Sequence, residues 1–176
     1  MWLEQRTVSK RPRLAASAAQ IMEGAMYKRI LVPVDGSVGA LRALDEAIKL
    51  AQLSGAQLQV VHVLAHPTQV VDVSASFVEQ MPVRDTSSET ATTVLAEARE
   101  KLAPIAAQGS VRAIDAYGEN LAAVLARAID EFDADLVVMY SHGRSGIRRL
   151  FAGSLAESLL HDTTVPLLLL RNGEEE

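Results

Sequence analysis

From Met26 onward the chain alternates two hydrophobic patterns. Short unbroken apolar runs predict buried strands, and apolar residues at three- and four-residue spacing predict helices. Arg29–Asp35 (RILVPVD) is a run of the first kind, closed by the turn signal Asp35-Gly36-Ser37. Leu41, Leu44, Ile48 and Ala51 then recur at helical spacing. They predict a helix from about Val38 to Leu53, with Gly55 a suitable stop just beyond it. Further strands are predicted over Gln57–Ala65, Ser110–Gly118, Asp135–Ser141 and Val165–Arg171. Three more helices are marked by apolar faces. The first holds Leu95, Ala98, Leu102 and Ile105, and the second Leu121, Val124, Leu125, Ala128, Ile129 and Phe132. The third holds Leu155, Ala156, Leu159 and Leu160. His66–Ser87 breaks the pattern with Pro67, Pro82 and many hydroxyl residues, and reads as a long excursion between elements.

Strand and helix alternating in this way predict an α/β domain. Its five-stranded, mostly parallel sheet would carry helices on both faces, in a Rossmann-like arrangement. In such sheets ligands bind outside the carboxyl ends of the strands, near the switch in strand order. The ends of the first and fourth predicted strands carry Asp35-Gly36-Ser37 and the stretch SHGRSGIRRLFAGS (Ser141–Ser154). These two loops are the candidate site.

Composition narrows the function classes. The formal net charge of −5 argues against a general nucleic-acid or membrane-surface binder, which needs a basic face. No apolar run approaches the roughly 20 residues of a membrane span. Without cysteine, disulfides and thiolate metal sites are excluded. Residues 1–25 stand apart: four basic residues against two acidic ones give +2, which leaves −7 for the rest. They lack the continuous apolar core of a secretory signal. The expectation is that the natural start is Met26, with residues 1–25 a mis-called leader or a disordered tail, residues 26–172 the domain and residues 173–176 an acidic tail.

The loop after the fourth strand is the richest in chemistry. Gly143 and Gly146 let the backbone approach a ligand closely. Gly153-Ser154 opens the last helix, whose free N–H groups and positive dipole end suit phosphate oxygens. Arg144, Arg148 and Arg149 can supplement that cradle. The alternative is a glycine-rich turn with a capping serine and arginines in water. No P-loop, dinucleotide fingerprint or nucleophile elbow is present. Asp35 is placed to accept from an adenine or ribose donor or to reach Mg²⁺; equally, Asp35 or Ser37 caps the first helix. No triad can be argued for His142, because the pattern places no acid partner for it. His62 reads as scaffold within the second strand, and His66 and His161 show no metal-ligand spacing with it. No catalytic residue and no structural metal are assigned.

The order RILVPVDGS, VVHVL, DLVVMYSHGRSG, FAGSLAESLL and VPLLLLR resembles that of the universal stress protein family, from about Met26 to Arg171. The nucleotide-binding branch of that family carries G-x2-G-x9-G-[ST] after its fourth strand. On this chain the second glycine is Gly143 and the closing pair is Gly153-Ser154, but the first glycine falls on Tyr140. A tyrosine ring turned into the core leaves the backbone usable; one turned outward stacks on, or fills, the nucleoside space. The resemblance implies an adenine nucleotide ligand, ATP with Mg²⁺. Asp35 would meet the base or ribose, with Pro33 and Val34 beside it. Val63 would line the base pocket and Met139 would pack near the base. Gly143, Gly153, Ser154 and the N–H of Leu155 would hold phosphates, with Tyr140, His142 and Arg144 alongside. It also implies a cytoplasmic homodimer joined through Val165–Arg171.

Three functions follow in order. The first is a stress-response sensor or regulator that binds ATP and hydrolyses it slowly or not at all, since no general base or lysine for the terminal phosphate is evident. The second is a dimeric interaction module without nucleotide, which Tyr140 favours. The third is an adenine-handling enzyme of related fold, disfavoured because the loop VDGSVGA is sparse in glycine and serine.

Overall fold

The computed structural model describes residues 26–65, 87–141 and 154–171. In chain order the elements are β1 (Arg29–Pro33), α1 (Val38–Ser54), β2 (Gln57–Leu64), α2 (Ser87–Leu102), β3 (Gly109–Asp115), α3 (Leu121–Phe132), β4 (Leu136–Tyr140), α4 (Ser154–Asp162) and β5 (Leu167–Leu170). The strands form one sheet in the order β3-β2-β1-β4-β5, with every neighbouring pair parallel. The α/β expectation holds. The chain winds outward from β1 to β3, then crosses back to lay β4 on the other side of β1. The switch in strand order therefore lies between β1 and β4.

Alternation along the strands builds two apolar layers. Leu136 and Val138 of β4 join Ile30, Val32, Leu44, Leu58 and Val60 beneath α1 and α2. Val137 and Met139 join Leu31, Val61, Leu125, Ile129 and Leu159 beneath α3 and α4. Burying each large aliphatic side chain contributes about 1.5–3 kcal/mol. Exposed ion pairs such as Lys49–Glu46 contribute about 0.2–1 kcal/mol. The layers, not the surface charges, hold the fold.

Helix ends follow local chemistry. The Ser37 hydroxyl accepts from the Ala40 N–H at 3.1 Å and caps α1, so of the two candidates Ser37 is the cap. Gly55 ends that helix at φ 73°, with its N–H on the Ala51 carbonyl. Asn120 caps α3 through Ala122 N–H at 2.9 Å. Asp135 joins β1 to β4: its two oxygens accept from Lys28 N–H at 2.7 Å and Arg29 N–H at 2.9 Å.

Several predicted boundaries are corrected. β1 stops at Pro33, because Gly36 turns the chain at φ 83°. β3 stops at Asp115, because Tyr117 and Gly118 take φ 46° and 81°. α2 begins at Ser87, the last residue of the predicted excursion, and stops at Leu102. Pro104 cannot donate an N–H, and a short 3₁₀ turn carries Ile105 into the core. β5 is shorter than Val165–Arg171. Leu160 is 55% exposed and is not part of the buried face of α4.

Candidate functional site

Over the carboxyl ends of β1, β2 and β4, at the switch point, lies a cavity of about 130 Å³. β1 and the turn after it contribute Pro33, Val34 and Asp35. β2 contributes Val61, His62 and Val63, and β4 contributes Met139 and Tyr140. Leu121 and Leu125 of α3, Ala40 of α1 and Leu155 of α4 also line it. Among the described residues the lining is mostly aliphatic, with Asp35, His62 and Tyr140 its titratable members.

Asp35 is exposed, and its Oδ1 accepts from the Ser37 N–H at 2.9 Å. That bond fixes the carboxylate within the turn that starts α1. Gly36 follows at φ 83°, with α2 so near that a β-carbon there would stand 2.8 Å from Val94 Cγ2. His62 is buried, and its Nδ1 lies 2.8 Å from the Val34 carbonyl oxygen. A carbonyl only accepts, so Nδ1 carries a proton and donates it. This bond ties the end of β2 to the residue before Asp35.

Tyr140 ends β4 on the α1 face, packed with Leu170 against the apolar layer there. A β-carbon on Gly39 would lie 2.3 Å from Tyr140 Cδ1, 2.4 Å from Cε1 and 2.5 Å from Cγ. The ring thus lies against the first turn of α1. Met139, its neighbour, lies in the opposite layer under α3 and α4.

The turn that feeds α3 is braced by Arg127, whose Nη1 bonds both Glu119 oxygens at 3.1 and 2.9 Å. That hydrogen bond, then the charge of Glu119, raises the guanidinium pKa. The brace sits one turn from Leu121 and Leu125, the α3 residues of the cavity wall.

Of the residues singled out in the sequence, Pro33, Val34, Asp35, Val63, Met139, Tyr140 and Leu155 come together around this cavity. Ser154 is exposed at the start of α4 and is not among the lining residues. His142, Gly143, Arg144 and Gly153 lie outside the described residues. The sequence reading missed Ala40, Val61, His62, Leu121 and Leu125. Leu121 and Leu125 sit at helical spacing, a pattern that also marks ordinary core. His62 is scaffold, as read, and borders the cavity as well. Among the described residues no group of three His, Asp or Glu side chains is placed to hold a metal ion.

The family model described as the universal stress protein family matches residues 26–171. The chain belongs to the universal stress protein family. A curated universal stress protein of Methanocaldococcus jannaschii is 30% identical, over 86% of this chain and 86% of the relative. The crystal structure of a universal stress protein from Burkholderia pseudomallei is 30% identical, with a TM-score of 0.61, covering 84% of this chain and 98% of that one. A universal stress protein of Archaeoglobus fulgidus, solved in complex with dAMP, shares the fold at 24% identity and a TM-score of 0.59, over 82% of this chain and 98% of that one. Another family member is solved in complex with cAMP. Among the described residues no helix is long and apolar enough to cross a membrane.

Proposed function

We propose that this universal stress protein binds an adenine nucleotide, ATP with Mg²⁺, at the switch point. It acts there as a cytoplasmic, homodimeric sensor or regulator in stress response, with slow hydrolysis or none. The observation that carries the reading is the cavity itself: an apolar slot between β2 and β4 with Asp35 at its edge. About 130 Å³ is too little for a whole nucleotide, so only part of the ligand would enter it. The phosphates would then lie outside it, toward Ser154 and the glycine loop carrying His142, Gly143, Arg144 and Gly153. The dAMP and cAMP found with relatives support an adenylate.

Mg²⁺ fits this donor set in one way. Such ions are held by one or two carboxylates together with phosphate oxygens. Asp35 supplies one carboxylate at the edge of the cavity. The ion would there offset phosphate charge. The chain's own residues bind and orient: Val63 lines the base pocket, Met139 packs near the base, and Asp35 either accepts from base or ribose or holds this ion. Among the described residues no lysine or arginine lines the cavity; a sensor needs only binding, whereas efficient phosphoryl transfer needs charge stabilisation at the terminal phosphate.

A homodimer through β5 has its own support. β5 is an edge strand of four leucines, and Leu168 is 39% exposed in the single chain. Such an edge is normally covered or paired. The second reading is an interaction module without nucleotide, favoured by Tyr140 standing at the first motif glycine.

The test is the nucleotide content of the purified protein, followed by titration of stripped protein with ATP–Mg²⁺ by calorimetry. Co-purified or tightly bound adenylate is expected, with Gly153→Asp abolishing it. An empty protein with no heat of binding sinks the reading and leaves the interaction module.

A further inference from the structure

The contact between Gly39 and Tyr140 joins helix α1 to the wall of the cavity. Gly39 lies inside α1 and is not among the residues with positive φ, so its backbone does not call for glycine. The ring is the reason for it. A β-carbon there would meet Tyr140 Cγ at 2.5 Å as well as Cδ1 and Cε1. Because Cγ is the ring's point of attachment, turning the far edge of the ring does not relieve the contact. Either the whole side chain or the first turn of α1 has to move.

Tyr140 and Ala40, the residue after Gly39, both border the cavity. On its other side Tyr140 packs, with Leu170, against the apolar layer under α1 that includes Leu44 and Val138. Close-packed layers do not admit another ring. The adjoining free volume is the cavity, and about 130 Å³ is close to what a six-membered aromatic ring fills.

We propose that Gly39 is a positioning residue for the ligand site: by lacking a β-carbon it seats the Tyr140 ring on α1 and keeps it out of the cavity. The inference rests on the reading that this cavity takes the nucleotide base. It makes Gly39, on an element the glycine motif does not include, a determinant of whether the pocket is open. A tyrosine at the first motif position is then compatible with binding, and the compensation sits on the neighbouring helix.

The test is calorimetric titration with ATP–Mg²⁺ of the full-length wild type, Gly39→Ala, Tyr140→Ala and the double variant, each checked for folding by circular dichroism. Gly39→Ala is expected to weaken binding by at least about tenfold, and the double variant to bind more tightly than Gly39→Ala. Wild type and Gly39→Ala binding equally well overturns the proposal and leaves the nucleotide reading standing. Tyr140→Ala binding where wild type does not places the ring in the cavity despite Gly39, and also overturns it. No binding by any variant removes the nucleotide reading, and the proposal with it. Where Gly39→Ala does not fold, wild-type NMR decides. Nuclear Overhauser contacts between the Gly39 α-protons and the Tyr140 ring, kept at nucleotide saturation, support the seat; their loss on binding overturns it.

Discussion

The Tyr140 ring stands where a β-carbon of residue 39 would be, with Cδ1 2.3 Å from that place, so the two positions are read together or not at all. Glycine is a poor helix residue, disfavoured against alanine by about 1 kcal/mol. Here it is retained because the alternative is a collision. The sign of one substitution therefore depends on the other. Gly39→Ala in the wild type is expected to destabilise by about 1–3 kcal/mol, the range for overpacking. In a Tyr140→Ala background the same change is expected to stabilise by up to about 1 kcal/mol. Denaturant unfolding of the four proteins checks this, and equal effects in both backgrounds would show that the residues do not contact.

Gly36 is glycine for two reasons that can be separated. Its φ of 83° is left-handed, and a β-carbon would stand 2.8 Å from Val94 Cγ2. The backbone part costs an L-residue about 1–2 kcal/mol. Gly36→Ala is expected to lose that and a further amount for displacing α2 from the Asp35 turn. Adding Val94→Ala should relieve the second part only, after allowing for the loss that Val94→Ala causes alone. Thermal melts of the single and double variants test it; a Gly36→Ala protein as stable as wild type rules out both causes.

Much of the fold was legible because local pattern carries it. The run RILVPVD, the helical spacing of Leu44, Ile48 and Ala51, and the stop at Gly55 each speak through near neighbours. Asp35 and its turn were legible for the same reason: strand-end positions at a switch point follow from topology. Strand ends were less so, since Tyr117 and Gly118 look like a continuing strand until their positive φ values are known. The cavity wall was half legible. Leu121 and Leu125 lie on a helix face that reads as core, and nothing in their spacing separates lining a cavity from filling one. The Gly39–Tyr140 contact joins residues far apart in sequence and leaves no periodic trace.

His62 shows how scaffold and site share a residue. Its Nδ1 donates to the Val34 carbonyl at 2.8 Å, and the residue is 8% exposed. Leaving a buried carbonyl without its donor costs about 1–3 kcal/mol. His62→Phe keeps the ring volume and removes the donor, and is expected to destabilise by that amount. His62→Ala adds the cost of an empty space and is expected to be the worse of the two. Chemical denaturation decides; a His62→Phe protein matching wild type means the bond contributes nothing net.

The edge strand offers the test of assembly. In the single chain β5 pairs with β4 on one side, and its other side is the end of the sheet. Leu168 is exposed, while Leu167, Leu169 and Leu170 are half-buried. A lone edge of leucines is an aggregation hazard that proteins blunt with charge or cover with a partner, and no charged residue stands within Leu167–Leu170. A second copy laid against the first by two-fold symmetry would cover both edges at once. Leu168→Lys places a charge in that seam at a position already solvent-exposed, so it should divide the dimer while leaving each chain folded. Light scattering after gel filtration is expected to give the dimer mass for wild type and the monomer mass for the variant, with circular dichroism unchanged. A variant that keeps the dimer mass moves the interface away from β5, and a monomeric wild type removes the dimer altogether.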